Sequence, residues 1–283
     1  MMRLLKLAGA VVVGGCLVAG TVAAAPVARP AAATATRAGK GVSAWVFSGV
    51  NKALAKSGAS WYYTWAPNHP GIASAAGVQF VPMIWGAGSV TPATLRQVKR
   101  EGPDLLGFNE PDSASQSNMT VSQALGLWPQ LMATGLTLGS PAVATDAATP
   151  GGWLDRFMHG ARARHLRVNF IAVHWYGADF ATRQAVAQLR SYLEAIHARY
   201  QRPIWLTEFA LIRFGSTTTF PTARRQAAFL TAATTMLGRL SFVQRYAWFA
   251  LPATTGDGTA GLFRPGAIAT AAGRAFEAAG GSR

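Results

Sequence analysis

Cysteine is almost absent from this 283-residue chain. The only one, Cys16, lies in an apolar N-terminal run, so the remainder can form no disulfide and offers no thiolate as nucleophile or metal ligand. Acidic side chains are scarce as well, 11 against 26 lysines and arginines. Only Glu101, Glu110, Glu194, Glu208 and Glu277 are glutamates, so chemistry that needs a pair of them has few candidates. The five histidines form no HExxH pattern and no Cys-His cluster, so neither a metal nor, with no glycine-rich dinucleotide turn, a nucleotide cofactor is expected. Long apolar runs are missing too: Leu7 to Val22 is too short for a membrane span and has no basic stop-transfer cluster behind it.

What remains is strongly basic, with a formal net charge of +15 that falls by two when Arg3 and Lys6 are set aside. Such an excess attracts anionic partners. Its distribution argues otherwise, because Arg96, Lys99 and Arg100, then Arg162, Arg164 and Arg167, then Arg224 and Arg225 fall on segments that read as helix surfaces. No basic stripe is interleaved with aromatics, and no zinc-finger spacing occurs. Neither nucleic acid nor stable membrane association is expected, and the chain is expected to act as a monomer.

The N-terminus has the layout of a secretory signal: Arg3 and Lys6, an apolar middle, then small residues up to Ala25. Val13-Gly14-Gly15 before Cys16 partly matches a lipoprotein signal, but an anchor there would leave apolar Leu17 to Val22 in the mature chain. Residues 1–25 therefore read as a cleaved signal of a secreted protein. Residues 26–40, made of Ala, Pro, Thr and Arg, read as a disordered leader. Residues 41–283 read as one folded domain without an internal linker.

Within that domain, short apolar runs alternate with helical patterns. The strand candidates are Val42–Phe47, Ser60–Trp65, Gln79–Trp85, Leu105–Asn109, Thr137–Pro141, Phe170–Trp175, Pro203–Thr207 and Phe242–Phe249. Helices are expected near 50–57, 91–101, 120–133, 153–164, 182–200, 222–239 and 267–278, with too many breakers for one between the second and third strands. Thr91-Pro92 is an N-cap followed by proline, and Thr120 to Gln123 has capping-box spacing. Val186, Leu189, Leu193, Ile196 and Tyr200 form the stripe of a helix covering a sheet. Eight such α/β units favour a single (β/α)8 TIM barrel over a doubly wound sheet.

In this register Glu110 stands at the exit of the fourth strand and Glu208 at the exit of the seventh, where barrel active sites form. The other three glutamates fall in helical pattern or near the C-terminus. Burying a carboxylate among Phe, Trp and Leu costs free energy unless it is paired or used. Two in equivalent places suit glycosidic cleavage, where one carboxyl group protonates the leaving oxygen and the other attacks or supports the positive sugar. Separations of about 5–5.5 Å and 6.5–9.5 Å distinguish retention from inversion, and sequence spacing does not give the distance.

Phe108-Asn109-Glu110-Pro111, with a glutamate on strand seven, resembles the clan of retaining (β/α)8 glycosidases. The wider text resembles glycoside hydrolase family 128, a family of β-1,3-glucanases. Trp61-Tyr62-Tyr63-Thr64-Trp65, Phe80 to Gly86, Leu106 to Asp112, Leu138 to Pro141, His174-Trp175-Tyr176 and Trp205 to Phe209 carry the resemblance across the whole domain. It implies that Glu110 is the acid/base, Glu208 the nucleophile and Asn109 a partner of the reacting sugar. It also implies a retaining endo-β-1,3-glucanase acting on laminarin or fungal cell-wall glucan without a cofactor. Exo action, a β-1,4-glucan or mannan substrate, or a non-catalytic glucan-binding protein are the alternatives.

His174 and Tyr176, at the end of strand six, are expected beside the carboxylates, Tyr176 as a donor to Glu208. Among nine tryptophans, Trp65, Trp85, Trp175 and Trp248 lie near strand exits and are expected as platforms for sugar faces. Alternation from Glu208 turns Trp205 toward the helices.

Overall fold

The computed structural model describes residues 38–253 and 260–280. The chain alternates strand and helix: β1 (Gly39–Ser43), α1 (Val50–Ser57), β2 (Trp61–Tyr63), β3 (Gln79–Phe80), α2 (Pro92–Glu101), β4 (Asp104–Leu105) and α3 (Val121–Met132). It continues with β5 (Thr137–Leu138), α4 (Trp153–Ala163), β6 (Ile171–Gly177), α5 (Thr182–Tyr200), β7 (Ile204–Leu211), α6 (Ala223–Leu237) and β8 (Val243–Trp248). A small hairpin, β9 (Phe263–Arg264) and β10 (Ile268–Ala269), precedes α7 (Ala271–Ala278).

Local chemistry sets these boundaries. Thr91 caps α2 by accepting from the Thr94 amide, with Pro92 in the first turn. Thr120 and Gln123 close a reciprocal capping box on α3. Thr222 and Thr270 accept from the third residue of α6 and α7 in the same way. In α5, Ala185, Leu189, Leu193 and Ile196 face inward at helical spacing.

β1 to β8 run parallel wherever they pair. Six form one sheet in the order β3-β2-β1-β8-β7-β6, and β4 pairs with β5. Isolated parallel bridges, Met83 with Leu106 and Gly139 with Phe170, link the region after β3 to that after β4 and the region after β5 to that before β6. Among the described residues the result is an α/β fold whose eight parallel strands and seven α-helices are arranged like a barrel core.

The expected leader ran to residue 40, but the fold takes in its last residues. Gly39 and Lys40 pair with Arg245 and Tyr246 of β8. Lys40 Nζ also donates to the carbonyls of Phe276 and Ala279 at the end of α7, which ties the two ends of the domain together. The proposed signal and residues 26–37 of the leader lie outside the described residues.

Two apolar clusters divide the strand side chains. The outer one joins strands to helices, for example Tyr62, Phe80, Leu206, Phe209 and Trp248 with Leu189, Phe229 and Phe276. The inner one contains Trp61, Tyr63, Met83, Phe170, Trp205 and Ala247. Trp205 is therefore inside, against the Phe170 ring at 3.9 Å, and not against the helices as alternation from Glu208 implied. The reason is a β-bulge. Leu206 pairs with Val173 and Glu208 with the next residue, His174, so Thr207 is extra and the parity of β7 changes there.

Candidate active site

Glu208 is 4% exposed, yet both its oxygens are served by donors. Tyr63, at the end of β2, donates to Oε1 over 2.9 Å, and the Trp65 indole donates to the same oxygen over 2.8 Å. The Tyr176 hydroxyl on β6 donates to Oε2. Burial, and then the charge of Glu208, push the Tyr63 and Tyr176 phenols well above their usual range, so both stay protonated donors at neutral pH. Three donors around one buried carboxylate are the surroundings of a fixed anion.

Glu110 sits where the chain turns out of the strand region after β4, with φ of 40°. Its amide donates to Ala142, and the Asn109 amide donates to Trp85. Asp112 holds the facing loop by accepting from the amides of Ala144 and Thr145. His174 joins the two glutamates: Nδ1 lies 2.8 Å from Glu110 Oε1 and Nε2 lies 3.4 Å from Glu208 Oε1. The second contact is Coulombic and off the line of a hydrogen bond, since Nε2 has no hydrogen-bond partner. Burial alone would lower the His174 pKa, but the charge of Glu208 and the bond and charge of Glu110 outweigh it and raise it.

Asn109 is buried, and its Nδ2 donates to Gln116 over 3.3 Å. Its Oδ1 is buried without a partner. Such an atom at the edge of a cavity is prepared to accept from a ligand hydroxyl.

These residues open on a cleft of about 680 Å³ lined by Trp65, Trp85, Asn109, Glu110, Tyr176 and Glu208 among others. A depression of about 670 Å³ opens at the other ends of the strands. There the charges are spent on one another: Arg245 pairs with Asp104 at 3.0 Å and with Gln79 at 3.0 Å, and stacks over Trp205. The functional reading belongs to the first cavity.

Of the residues singled out from sequence, Glu110, Glu208, Asn109, Trp65, Trp85 and Tyr176 meet in the cleft, and His174 lies directly beneath the two carboxylates. Trp175 and Trp248 do not. Trp175 points outward and stacks on Phe229 of α6. Trp248 is fully buried in the outer cluster, where its indole donates to Ala260. Both alternate with residues that face the cleft, Tyr176 and Phe249. Sequence reasoning missed Phe249, Tyr63, Gln116 and Phe214. Alternation one step past Trp248 would have found Phe249.

One oxygen of each glutamate and one nitrogen of His174 lie within 4.8 Å of one another, a geometry that a cation would also accept. The Glu208 oxygens, however, already take three N–H or O–H donors, and the His174 nitrogen nearest the pair is directed at Glu110. The donor set suits an anion held by hydrogen bonds better than a metal ligand.

A strand-end pair of glutamates around a shared histidine, with an open cleft above them, defines a glycosidase-type centre, and comparison with known proteins agrees. Residues 42–276 match the family described as glycosyl hydrolase catalytic core. A glycoside hydrolase family 128, subgroup I, endo-β-1,3-glucanase of Amycolatopsis mediterranei in complex with laminaritriose is 56% identical, with a TM-score of 0.82, covering 85% of this chain and 99% of that one. A subgroup III curdlan-specific exo-β-1,3-glucanase of Blastomyces gilchristii, in complex with glucose, is 28% identical with a TM-score of 0.67, covering 84% and 97%. Alkali-sensitive linkage protein 1 of Schizosaccharomyces pombe is 32% identical over 226 residues, 76% of this chain. The chain spans 39% of the length of that curated relative. The chain belongs to the glycosyl hydrolase catalytic-core family, and within it to glycoside hydrolase family 128.

Proposed function

We propose that this protein is a retaining endo-β-1,3-glucanase in which Glu208 is the nucleophile and Glu110 the acid/base. The observation that carries the reading is the pair itself: two carboxylate oxygens no more than 4.8 Å apart, one glutamate fixed by three donors and the other bonded only to His174 through its side chain. Such a gap suits direct attack by a carboxylate better than an intervening water. The β-1,3 linkage and endo action are supported by likeness, since identity to the subgroup I endo-glucanases, crystallised with laminari-oligosaccharides, is about twice that to the exo-acting enzyme. Closure of the eight strands into one (β/α)8 barrel is part of this reading, supported by the parallel bridges on both sides of the β4-β5 pair. So are export by the N-terminal segment and residues 41–283 as one catalytic domain, to which Gly39 and Lys40 add their pairing with β8. No helix among the described residues is long and apolar enough to cross a membrane.

In the first step a Glu208 oxygen bonds to the anomeric carbon while the glycosidic carbon–oxygen bond breaks and the proton on Glu110 passes to the leaving oxygen. In the second, Glu110 takes a proton from water, the water oxygen bonds to the anomeric carbon, and Glu208 leaves as carboxylate. Asn109 Oδ1 accepts a sugar hydroxyl, and Trp65, Trp85 and Phe249 offer apolar faces. His174 Nδ1 shares a proton with Glu110, which steadies its side chain between the two steps.

Glu208→Gln tests the assignment. It should bind laminari-oligosaccharides by calorimetry yet lose turnover of laminarin by several orders of magnitude, and wild-type turnover in E208Q would refute the nucleophile. Early products longer than glucose and laminaribiose are expected, and glucose alone would replace endo with exo action.

A further inference from the structure

β7 is buried from end to end, and nothing in its composition separates one face from the other. Its pairing with β8 shifts near its start, where Ile204 faces Val243 and Trp205 faces Arg245, but at only one place does it shift against both neighbours. Against β6 the register runs Ala172 with Trp205 and Val173 with Leu206, then His174 with Glu208. Against β8 it runs Leu206 with Tyr246, then Phe209 with Trp248, so three steps on β7 answer two on β8. Both neighbours therefore see one surplus residue between Leu206 and Phe209, and β6 identifies it as Thr207. In an unbroken strand Trp205 and Glu208, three apart, would face opposite sides. Here Trp205 lies in the inner cluster and Glu208 in the cleft, while Leu206 and Phe209 both join the outer cluster.

Thr207 is fully buried, and both its polar groups are used across the strands. Its hydroxyl donates to the Val173 carbonyl over 3.2 Å, the carbonyl immediately before the register shift on β6. Its own carbonyl accepts from the Tyr63 hydroxyl over 3.1 Å, the same hydroxyl that lies 2.9 Å from Glu208 Oε1. Tyr63 has one proton for two acceptors.

We propose that Thr207 is a positioning residue for the reaction: its hydroxyl fixes the bulge that turns Glu208 into the cleft, and its carbonyl gives Tyr63 a second acceptor whenever Glu208 is not a carboxylate. The inference rests on the reading of Glu208 as nucleophile. When that carboxylate becomes an ester, its oxygens lose their charge and hold a buried donor less well. The Tyr63 proton then turns to the Thr207 carbonyl and stays bonded. When Glu208 leaves as an anion, the proton turns back and stabilises it. Tyr63 thereby follows the charge on Glu208 without being stranded at either stage.

The test compares Thr207→Val (T207V), which keeps the branched shape without the hydroxyl, with Thr207→Ser (T207S), which keeps the hydroxyl. T207V should lower kcat on laminarin by about 10- to 100-fold, the effect of a misplacement of about 1 Å, with KM changed less than about twofold. The acid limb of its pH–rate profile should move up, and T207S should restore both. Unchanged kcat and pH profile in T207V, or equal loss in T207V and T207S, would overturn the proposal. If T207V does not fold, as read from its melting curve, Tyr63→Phe (Y63F) decides: lower kcat with an upward-shifted acid limb supports it, and a wild-type profile overturns it. E208Q separates the two levels. Turnover in E208Q removes the underlying assignment, whereas inactive E208Q beside unaffected T207V removes only this inference.

Discussion

His174→Asn (H174N) isolates the charge that His174 brings to the pair, because asparagine can still donate to Glu110 from a similar position but is never a cation. Were both glutamates charged at the 4.8 Å limit of their separation, they would repel by at least about 3.5 kcal/mol at an effective dielectric constant of about 20. An imidazolium 2.8 Å from one and 3.4 Å from the other reverses the sign of that balance, although its burial takes back part of the gain. Removing one partner from a buried ionic group costs about 3–5 kcal/mol. With the Glu110 bond kept, the lower end, about 3 kcal/mol, is expected for H174N near pH 6. For a domain of this size that lowers the melting temperature by roughly 6–12 °C. The sign of the pH dependence follows from the raised folded-state pKa of His174. Its stabilisation is complete below the unfolded value of about 6.5 and is lost as pH rises through the folded value. The gap between wild type and H174N, read by scanning calorimetry, should therefore be widest near pH 6 and narrow steadily toward pH 9. A gap that is the same at both ends would show that His174 is neutral throughout and refute the argument.

Trp65→Phe (W65F) removes one of the three donors to Glu208 while keeping an aromatic face, and should cost roughly 10- to 100-fold in kcat on laminarin. Phe249→Ala (F249A) and Trp248→Phe (W248F) test which aromatic at the exit of β8 meets the sugar: F249A should raise KM for laminari-oligosaccharides several-fold, whereas W248F should lower the melting temperature and leave KM alone. A KM effect in W248F and none in F249A would reverse that assignment. Gly41→Ala (G41A) would place a methyl group 2.2 Å from Trp61 Nε1, on a buried ring already packed against Trp205. Overpacking of this kind costs about 1–3 kcal/mol, or roughly 2–12 °C in melting temperature, and an unchanged melt would mean that the inner cluster is looser than its contacts imply.

The strand–helix order was legible because it depends on local patterns. Threonine caps, a proline after Thr91 and the stripe on α5 each act within a few residues, and α2 and α5 fall where those patterns put them. Strand ends were less legible. Apolar text continues through Met83 and Phe108, but regular pairing stops at Phe80 and Leu105, because the chain there leaves the ladder to form the cleft and keeps only isolated bridges. The β9-β10 hairpin was missed because Ala267 to Ala269 has helix-compatible composition, while the chain reverses through Gly266 and Ala267 at positive φ and pairs Ile268 with Arg264.

The two catalytic candidates were legible for chemical reasons, since glutamate is rare here and strand exits are few, but the direction in which the neighbouring side chains point had to come from parity. On β6 and β8 plain alternation suffices: His174 and Tyr176 face in with Trp175 out, and Phe249 faces the cleft with Trp248 out. On β7 the same rule gives the wrong side for Trp205, because it does not count the bulge. No residue in Ile204 to Leu211 marks that bulge, since all eight are buried and Thr207 is as good a strand residue as its neighbours. A glycine or proline would have signalled a break in the ladder. Here the signal resides in what Thr207 touches, the Val173 carbonyl and the Tyr63 hydroxyl, residues 34 and 144 positions away along the chain. Those partners meet only after three strands have assembled, so the orientation of Glu208 is a property of the folded sheet rather than of the local sequence around it.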